Sequence, residues 1–171
     1  SIVPGLLESM ARNTAKQVDA LALFEIGKVF FDKAPGEQPE EVEVFGGLIT
    51  GYRREQTWYS KRQAVDFYDL KGVVQGLLGS LRIFDALYER TDAETCPYFE
   101  PGYGARVIKD GLVIGTLGKI ASGVGSAFGL KQDAYLFDLD MGALEKAAPL
   151  SVQAVALPKF PSISRDMTFI V

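Results

Sequence analysis

Two carboxylates on one side of a strand can do acid–base chemistry, and this sequence offers one such pair. Asp138 and Asp140 alternate with the apolar Phe137 and Leu139. Because successive side chains of a β-strand point to opposite sides, we expect both acids to face the same way. They could form a working carboxylate pair or simply face solvent. We favour the solvent-facing interpretation, because nothing in the sequence indicates that they are buried.

A second candidate is the glycine-rich stretch Gly123-Val124-Gly125. Phosphate-binding loops combine such glycines with a following lysine and a serine or threonine that contact the nucleotide. No such lysine–serine pair follows here. We therefore favour small residues in a surface helix over a phosphate-binding loop.

A third candidate is a loop in which cationic and aromatic side chains are mixed. Its rings are Trp58 and Tyr59, and only Glu55 opposes its positive charge. Its cations are Arg53, Arg54, Lys61 and Arg62. Cations that bind phosphates, beside rings that stack on bases, are typical of single-stranded RNA binding. A loop that is merely solvated is the favoured alternative.

Histidine is absent from the 171 residues, and Cys96 is the only cysteine. The sequence therefore lacks the side chain that most often serves as a general base at neutral pH and as a metal ligand. One cysteine cannot form an internal disulfide or a zinc cluster, and no histidine can activate it as a nucleophile. We predict no catalytic residue, no cofactor-binding residue and no metal site. Cys96 is interpreted as a part-buried thiol in a reducing cytoplasm.

Composition indicates a globular chain. Hydrophobic residues make up 47% and charged residues 23%, so a core and a polar surface are both available. The net charge of −4 argues against nucleic-acid binding over the whole surface, although a local basic patch stays possible. No apolar run is long enough to span a bilayer, and we expect no membrane partner.

The N-terminal part predicts one helix and two strands. A helix is expected over Ser1–Val18. The apolar and aromatic stretch Leu21–Phe31 predicts a largely buried strand, and Val42–Tyr52 predicts a second one. Gly46 and Gly47 inside that second strand indicate a bulge or close packing against another element.

The clearest predicted helix begins near Asp66, whose carboxylate can accept from the free N–H groups of the first turn. Apolar residues recur along it at helical spacing. Its buried face is expected to hold Leu70, Val73, Leu77 and Leu81.

A hairpin is predicted over Arg106–Leu117, because Asp110-Gly111 suits a tight type I′ turn. A short helix over Gly123–Phe128, a strand over Asp133–Asp140 and a helical turn over Gly142–Ala147 are expected to follow. A proline-containing linker and a last strand close the sequence. Helices mixed with mostly antiparallel strands predict an α+β fold, an antiparallel sheet flanked by helices.

Several segments together resemble the C-terminal half of the bacterial-type phenylalanyl-tRNA synthetase β chain. They are PGLLESMARN (4–13), LFEIGKVF (23–30), VDFYDLKGVVQGLL (65–78), PGYGARVIKDGLVIGTLGKI (101–120) and YLFDLDM (135–141). A further segment, PKFPSISRDMTFIV (158–171), resembles the start of the ferredoxin-like anticodon-binding domain that ends such chains. The resemblance covers nearly the whole sequence in the right order. LFEIGKVF and DFYDLKG are specific when they occur together.

The resemblance implies a degenerate copy of the class II aminoacyl-tRNA synthetase core at residues 1–148. Residues 149–171 would hold a linker and the first strand of a truncated C-terminal anticodon-binding domain. In a working class II core, an arginine stabilises the charge that develops on the ATP α-phosphate. Alignment of Gly27–Phe31 with that motif places Phe31 where the arginine is expected, and residues 135–144 do not match the motif that holds the γ-phosphate. The implied domain is therefore non-catalytic.

The sequence departs from the resembled family at two places where histidine-proline is usual. They read Phe99-Glu100-Pro101 and Ile120-Ala121-Ser122. Because those histidines are not catalytic, the departures affect the expected contacts with a partner rather than the chemistry.

The resemblance further implies a place in a cytoplasmic, heterotetrameric ligase that joins phenylalanine to tRNA(Phe). The domain would support the catalytic α subunit and would meet tRNA(Phe) through the holoenzyme, which uses ATP and Mg²⁺. The domain itself would hold no cofactor. We expect apolar surface on the aromatic strand Phe24–Phe31 and on the first helix, covered by partners. The alternatives are an RNA-contacting module through Arg53–Arg62 and a free-standing ATP-dependent ligase, against which Phe31 argues.

Overall fold

A six-stranded antiparallel sheet lies at the centre of the structure, a computed structural model that describes residues 1–34, 36–54, 56–92, 94–149 and 163–168. The elements in chain order are α1 (Val3–Thr14), β1 (Leu21–Phe31), β2 (Glu40–Thr50), β3 (Tyr52–Arg54), β4 (Gln63–Ala64), α2 (Phe67–Ser80), β5 (Leu87–Arg90), β6 (Phe99–Lys109), β7 (Leu112–Ile120), α3 (Ser122–Ala127), β8 (Ala134–Asp140) and α4 (Met141–Ala147). The large sheet has the order β1-β2-β8-β7-β6-β5, and β3 pairs with β4 in a separate small sheet. The predicted α+β fold is confirmed.

Both faces of the large sheet are buried near its centre. On one face, α1 packs Leu7 and Met10 against a cluster that includes Leu48 and Leu136. On the other face, α2 and α4 cover a second cluster; its sheet members include Val107, Ile114, Leu117, Phe137 and Leu139. Strand β8 lies between these two clusters, so it carries apolar side chains on both faces of the sheet.

Local turn and cap signals in the sequence correctly predicted where several elements begin and end. Asp110 and Gly111 join β6 to β7 with φ of 50° and 79°, which confirms the predicted positive-φ hairpin turn. Asp66 caps α2 through a reciprocal pair of side-chain bonds with Asp69. The first helix is shorter than the predicted Ser1–Val18, and a positive φ of 65° at Gln17 follows its end.

The predicted buried face of α2 is wrong in part. Leu70 is buried, but Val73 and Leu81 are 48% and 38% exposed, and Leu77 is only half-buried. The buried residues are Leu70, Val74 and Leu78. Apolar residues occupy more than one side of this helix, so the sequence periodicity is compatible with the burial of either of two neighbouring faces. The crossing of α2 over the sheet decides between them.

The prediction that β1 is largely buried is also wrong. Its bounds match the predicted Leu21–Phe31, but Val29 is the only buried residue of the strand. Strand β1 lies at the edge of the sheet, where α2 and α4 do not cover it. Its even-numbered side chains therefore point to an uncovered part of the sheet face.

Close packing explains the two glycines of β2. A Cβ at Gly46 would collide with Ile2 of the segment that leads into α1, and one at Gly47 would collide with the ring of Phe137. The backbone of β2 thus lies close to Ile2 at Gly46 and to Phe137 at Gly47, and a side chain at either position would not fit. The strand itself runs from Glu40 to Thr50, two residues earlier than predicted.

The C-terminal predictions fall mostly outside the described residues. The linker after α4 and the last three residues of the predicted final strand lie there. The described part of that strand, residues 164–168, has no regular secondary structure. The division into 1–148 and 149–171 stays a prediction.

Candidate functional site

Phe31 ends β1 on the surface, opposite Glu40 of β2. Its ring is 57% exposed, so it contributes little to the core. Lys33, two residues further along the chain, lies 3.8 Å from the Glu40 carboxylate. An aromatic ring carries no charge that could neutralise a phosphate.

Asp138 and Asp140 lie on the same side of β8, as predicted, but they have separate surroundings. Asp140 accepts a hydrogen bond from the Ala143 backbone N–H at 2.8 Å and caps α4. Asp138 is half-buried, and this burial raises the pKa of its carboxyl above the ordinary aspartate value. The favoured interpretation of two solvent-facing acids is therefore wrong for Asp138. Asp140 serves as a structural cap.

Two other chemical candidates have structural roles. Gly123-Val124-Gly125 lies in the short helix α3, as the surface-helix interpretation predicted. Cys96 is a buried free thiol in the cluster beneath α1. Within the described residues, no group of three or more His, Cys, Asp or Glu side chains could hold a metal ion.

The two departures from histidine-proline meet in space. The Glu100 carboxylate accepts a hydrogen bond from the Ser122 backbone N–H at 3.1 Å. The residue next to Ser122, Ala121, donates its N–H to the Tyr98 carbonyl at 2.9 Å. The substitutions thus form one local contact between the start of β6 and the start of α3.

The basic–aromatic loop is exposed, but its cations are not equivalent. Arg53 donates to Asp66 and lies within 3.1 Å of Asp69, so it braces the start of α2. Arg62 stacks over the ring of Tyr52, with its guanidinium carbon 4.1 Å from the ring centroid. Arg54 and Lys61 are exposed, and no carboxylate in the described residues pairs with them. The rings at the tip of the loop, Trp58 and Tyr59, are 95% and 72% exposed.

Several large apolar side chains lie together on β1 and β2, and we name Phe24, Ile26, Phe30 and Phe45 the apolar face. Phe24, Ile26 and Phe30 are 74%, 53% and 63% exposed. Phe24 packs edge-on against Phe45, and Phe45 against the buried Phe137, with centroid distances of 6.0 and 5.4 Å. The exposed rings thus continue the core outward without a covering layer.

A groove of about 710 Å³ runs beside the apolar face, between the sheet and the ends of α2 and α4. Its apolar walls include Leu77, Leu81 and Leu144. Four acidic residues also line it: Glu41, Glu43, Asp140 and Glu145. Sequence reasoning predicted β1 as an interaction surface but missed this groove, because its lining comes from five elements, β1, β2, α2, β8 and α4. The other expected surface, α1, buries its large apolar residues and exposes mainly polar ones.

The profile of the phenylalanyl tRNA synthetase beta chain CLM domain matches residues 1–141. The chain belongs to the phenylalanyl-tRNA synthetase beta chain family. Phenylalanine–tRNA ligase beta subunits from Bacillus subtilis (strain 168) and Lactiplantibacillus plantarum are 36% and 34% identical to it. These alignments cover 99% and 100% of this chain but 21% of each relative.

A solved synthetase structure shares the fold of this beta chain family member. The pyrrolysyl-tRNA synthetase from Desulfitobacterium hafniense superimposes with a TM-score of 0.59 over 86% of this chain and 47% of that one. Sequence identity is 12%, so the likeness concerns the fold alone. It confirms the predicted synthetase-like core. No helix in the described part of the chain is long and apolar enough to cross a membrane.

Proposed function

We propose that the chain is a non-catalytic, core-like scaffold domain of a phenylalanine–tRNA ligase β subunit, which supports aminoacylation of tRNA(Phe) by the α subunit. The surroundings of Phe31 carry this proposal. A phosphate clamp needs an unpaired cation that can make two parallel hydrogen bonds. Here an aromatic ring occupies the place that the family resemblance assigns to the clamp, and Lys33, two residues further along the chain, pairs with Glu40. A free-standing ATP-dependent ligase is not supported by this corner.

The apolar face supports the scaffold part of the proposal. Three large side chains on one strand, each more than half exposed, are costly to leave in water. The groove beside them adds more apolar surface and is also lined by acidic residues. A domain that is covered in a larger ligase has a physical reason to keep such a surface.

The same proposal assigns the other roles. ATP and Mg²⁺ belong to the α-subunit site of a cytoplasmic heterotetramer, and this domain holds neither. Residues 149–171 form the linker and the beginning of the anticodon-binding domain. The scaffold affects catalysis by positioning the active site of the α subunit, because small displacements of catalytic groups strongly reduce the reaction rate.

Capture of the α subunit by this chain tests the proposal. The parent chain should retain the α subunit on an affinity column. Replacing Phe24 and Phe30 together with serine should weaken capture about tenfold or more, since two exposed rings leave the apolar face. Leu87→Ser is the matched control, because Leu87 is 62% exposed on the opposite edge strand β5. A parent chain that retains no α subunit would refute the proposal.

A second candidate, RNA contact through the loop Arg53–Arg62, is favoured by the exposure of Trp58 and by the exposed charges of Arg54 and Lys61. Arg53 contributes less, because it is bound to Asp66 and Asp69. Trp58→Ala should reduce the affinity for single-stranded RNA if the ring stacks on a base. Unchanged affinity would remove this candidate.

A further inference from the structure

A second concave site lies on the α2 side of the sheet, and its lining begins a few residues after the loop in the chain. We name this depression of about 340 Å³ the tyrosine pocket. Its walls come from the first turns of α2, from β5 and from β6. The residues that matter are Tyr68, Lys71, Tyr88, Arg90 and Tyr103. Its volume is at the lower end of the range for small-molecule sites, which suits one nucleotide rather than a large ligand.

The rings of the tyrosine pocket are available for stacking. Tyr68 and Tyr103 are 75% and 55% exposed, although both line a concave surface. Tyr88 lies deeper, and its hydroxyl is buried without a hydrogen-bond partner among the described residues. A polar atom that is left unpaired in this way can bond to a ligand that enters the pocket.

Two cations, Lys71 and Arg90, line the tyrosine pocket. Within the described residues, neither Lys71 nor Arg90 has a carboxylate oxygen within 4.0 Å. Lys71 is held in place by the ring of Tyr88, with its ammonium 4.5 Å from the ring centroid. The neighbouring acids are engaged elsewhere: Asp69 with Arg53, and Glu89 with Arg106. The pocket is therefore locally cationic in a chain whose net charge is −4.

We propose that the tyrosine pocket binds one nucleotide of a single-stranded RNA segment. The base stacks on Tyr68 or Tyr103, and the adjacent phosphate lies between Lys71 and Arg90. Stacking needs a base that is free of its own helix, so an unpaired strand fits and a duplex does not. The scaffold role does not require this site, and neither does the exposed loop.

Binding of a short, unstructured oligoribonucleotide of alternating cytidine and adenosine tests the site. Its 5′-fluorescein anisotropy would be followed against the parent chain and against Tyr68→Leu, Lys71→Met and Arg90→Gln. Each variant should weaken binding by about tenfold, as expected when one stacked base or one phosphate contact is lost. Arg90→Gln should also reduce the salt slope by about 0.7, the value for one phosphate contact on a single strand. Thermal melts of these surface variants would establish that they fold.

Controls separate this site from non-specific attraction and from the loop. Lys16→Gln removes an exposed charge just after α1, which covers the opposite face of the sheet from α2, and should leave affinity and salt slope unchanged. An RNA duplex should compete poorly. The proposal is overturned if the parent does not bind saturably, if the pocket variants bind like the parent, if duplex competes equally, or if only Trp58→Ala weakens binding. None of these results bears on capture of the α subunit, so the scaffold proposal is tested independently.

Discussion

Leu78→Ala should destabilise the chain far more than the same change at the adjacent Leu77. Leu78 is 2% exposed and packs in the cluster that includes Val74 and Ile83. Truncation to alanine removes three buried carbon groups, at about 0.8 kcal/mol each, and leaves a cavity that adds a further term. The expected loss is therefore about 3–4 kcal/mol. Leu77 is half-buried and borders the open groove, so its truncation leaves no closed cavity and should cost about 1 kcal/mol.

Urea unfolding of the parent and the two variants would measure the difference. Helix propensity does not confound it, because both changes replace leucine by alanine in the same helix. For a chain of this size, the extra 2–3 kcal/mol corresponds to a further fall in Tm of roughly 4–12 °C at Leu78. A Leu77→Ala variant that loses as much stability as Leu78→Ala would show that the assignment of the buried face of α2 is mistaken.

Because Phe31 cannot bind a phosphate, the isolated chain should lack synthetase-like affinity for ATP, and Phe31→Arg alone should not create it. Calorimetry with ATP and Mg²⁺ that gives a micromolar Kd for the parent would contradict this prediction. Because burial raises the folded-state pKa of Asp138, the folded chain holds its proton more tightly than the unfolded chain, and this contribution to stability is lost as pH rises through the raised pKa. Asp138→Asn should therefore be more stable than the parent at neutral pH and should lose that advantage below the ordinary aspartate pKa of about 4. Thermal melts of both proteins across this pH range would test the prediction. An equal difference in Tm at all pH values would exclude the titration of Asp138 as the cause. The apolar face should make the isolated chain self-associate or bind a hydrophobic dye, and serine at Phe24 and Phe30 should reduce both effects; sedimentation that shows a parent monomer without dye binding would refute it.

Features that depend on a few adjacent residues could be predicted from the sequence. Asp110-Gly111 specifies its own turn, because few residues other than glycine, asparagine and aspartate accept positive φ there. Asp66 and Asp69 specify the start of α2 in the same local way. The family resemblance added the synthetase-like core, which periodicity alone leaves as a general α+β fold.

Features that depend on the order of strands could not be predicted in this way. An apolar strand such as Leu21–Phe31 looks the same in sequence whether it lies at the centre or at the edge of a sheet. Its edge position follows from pairing with β2 alone, and that position exposes its rings. The tyrosine pocket is a stronger case, since Tyr68, Tyr88 and Tyr103 meet only after α2, β5 and β6 have packed. The one local signal was the i, i+3 spacing of Tyr68 and Lys71 in the helix.

Asp140 ends β8 and at the same time caps α4, so no loop separates this central strand from α4. Because no residues lie between them, β8 and α4 are connected rigidly. The tilt of α4 is set by the twist of the sheet, and α4 cannot rotate without breaking its own cap or disturbing the pairs that β8 makes with β2 and β7. Mechanical load applied at the far end of α4 would therefore reach the middle of the sheet instead of being absorbed by a hinge. The junction at Asp140 therefore ties the orientation of α4 to that of the sheet.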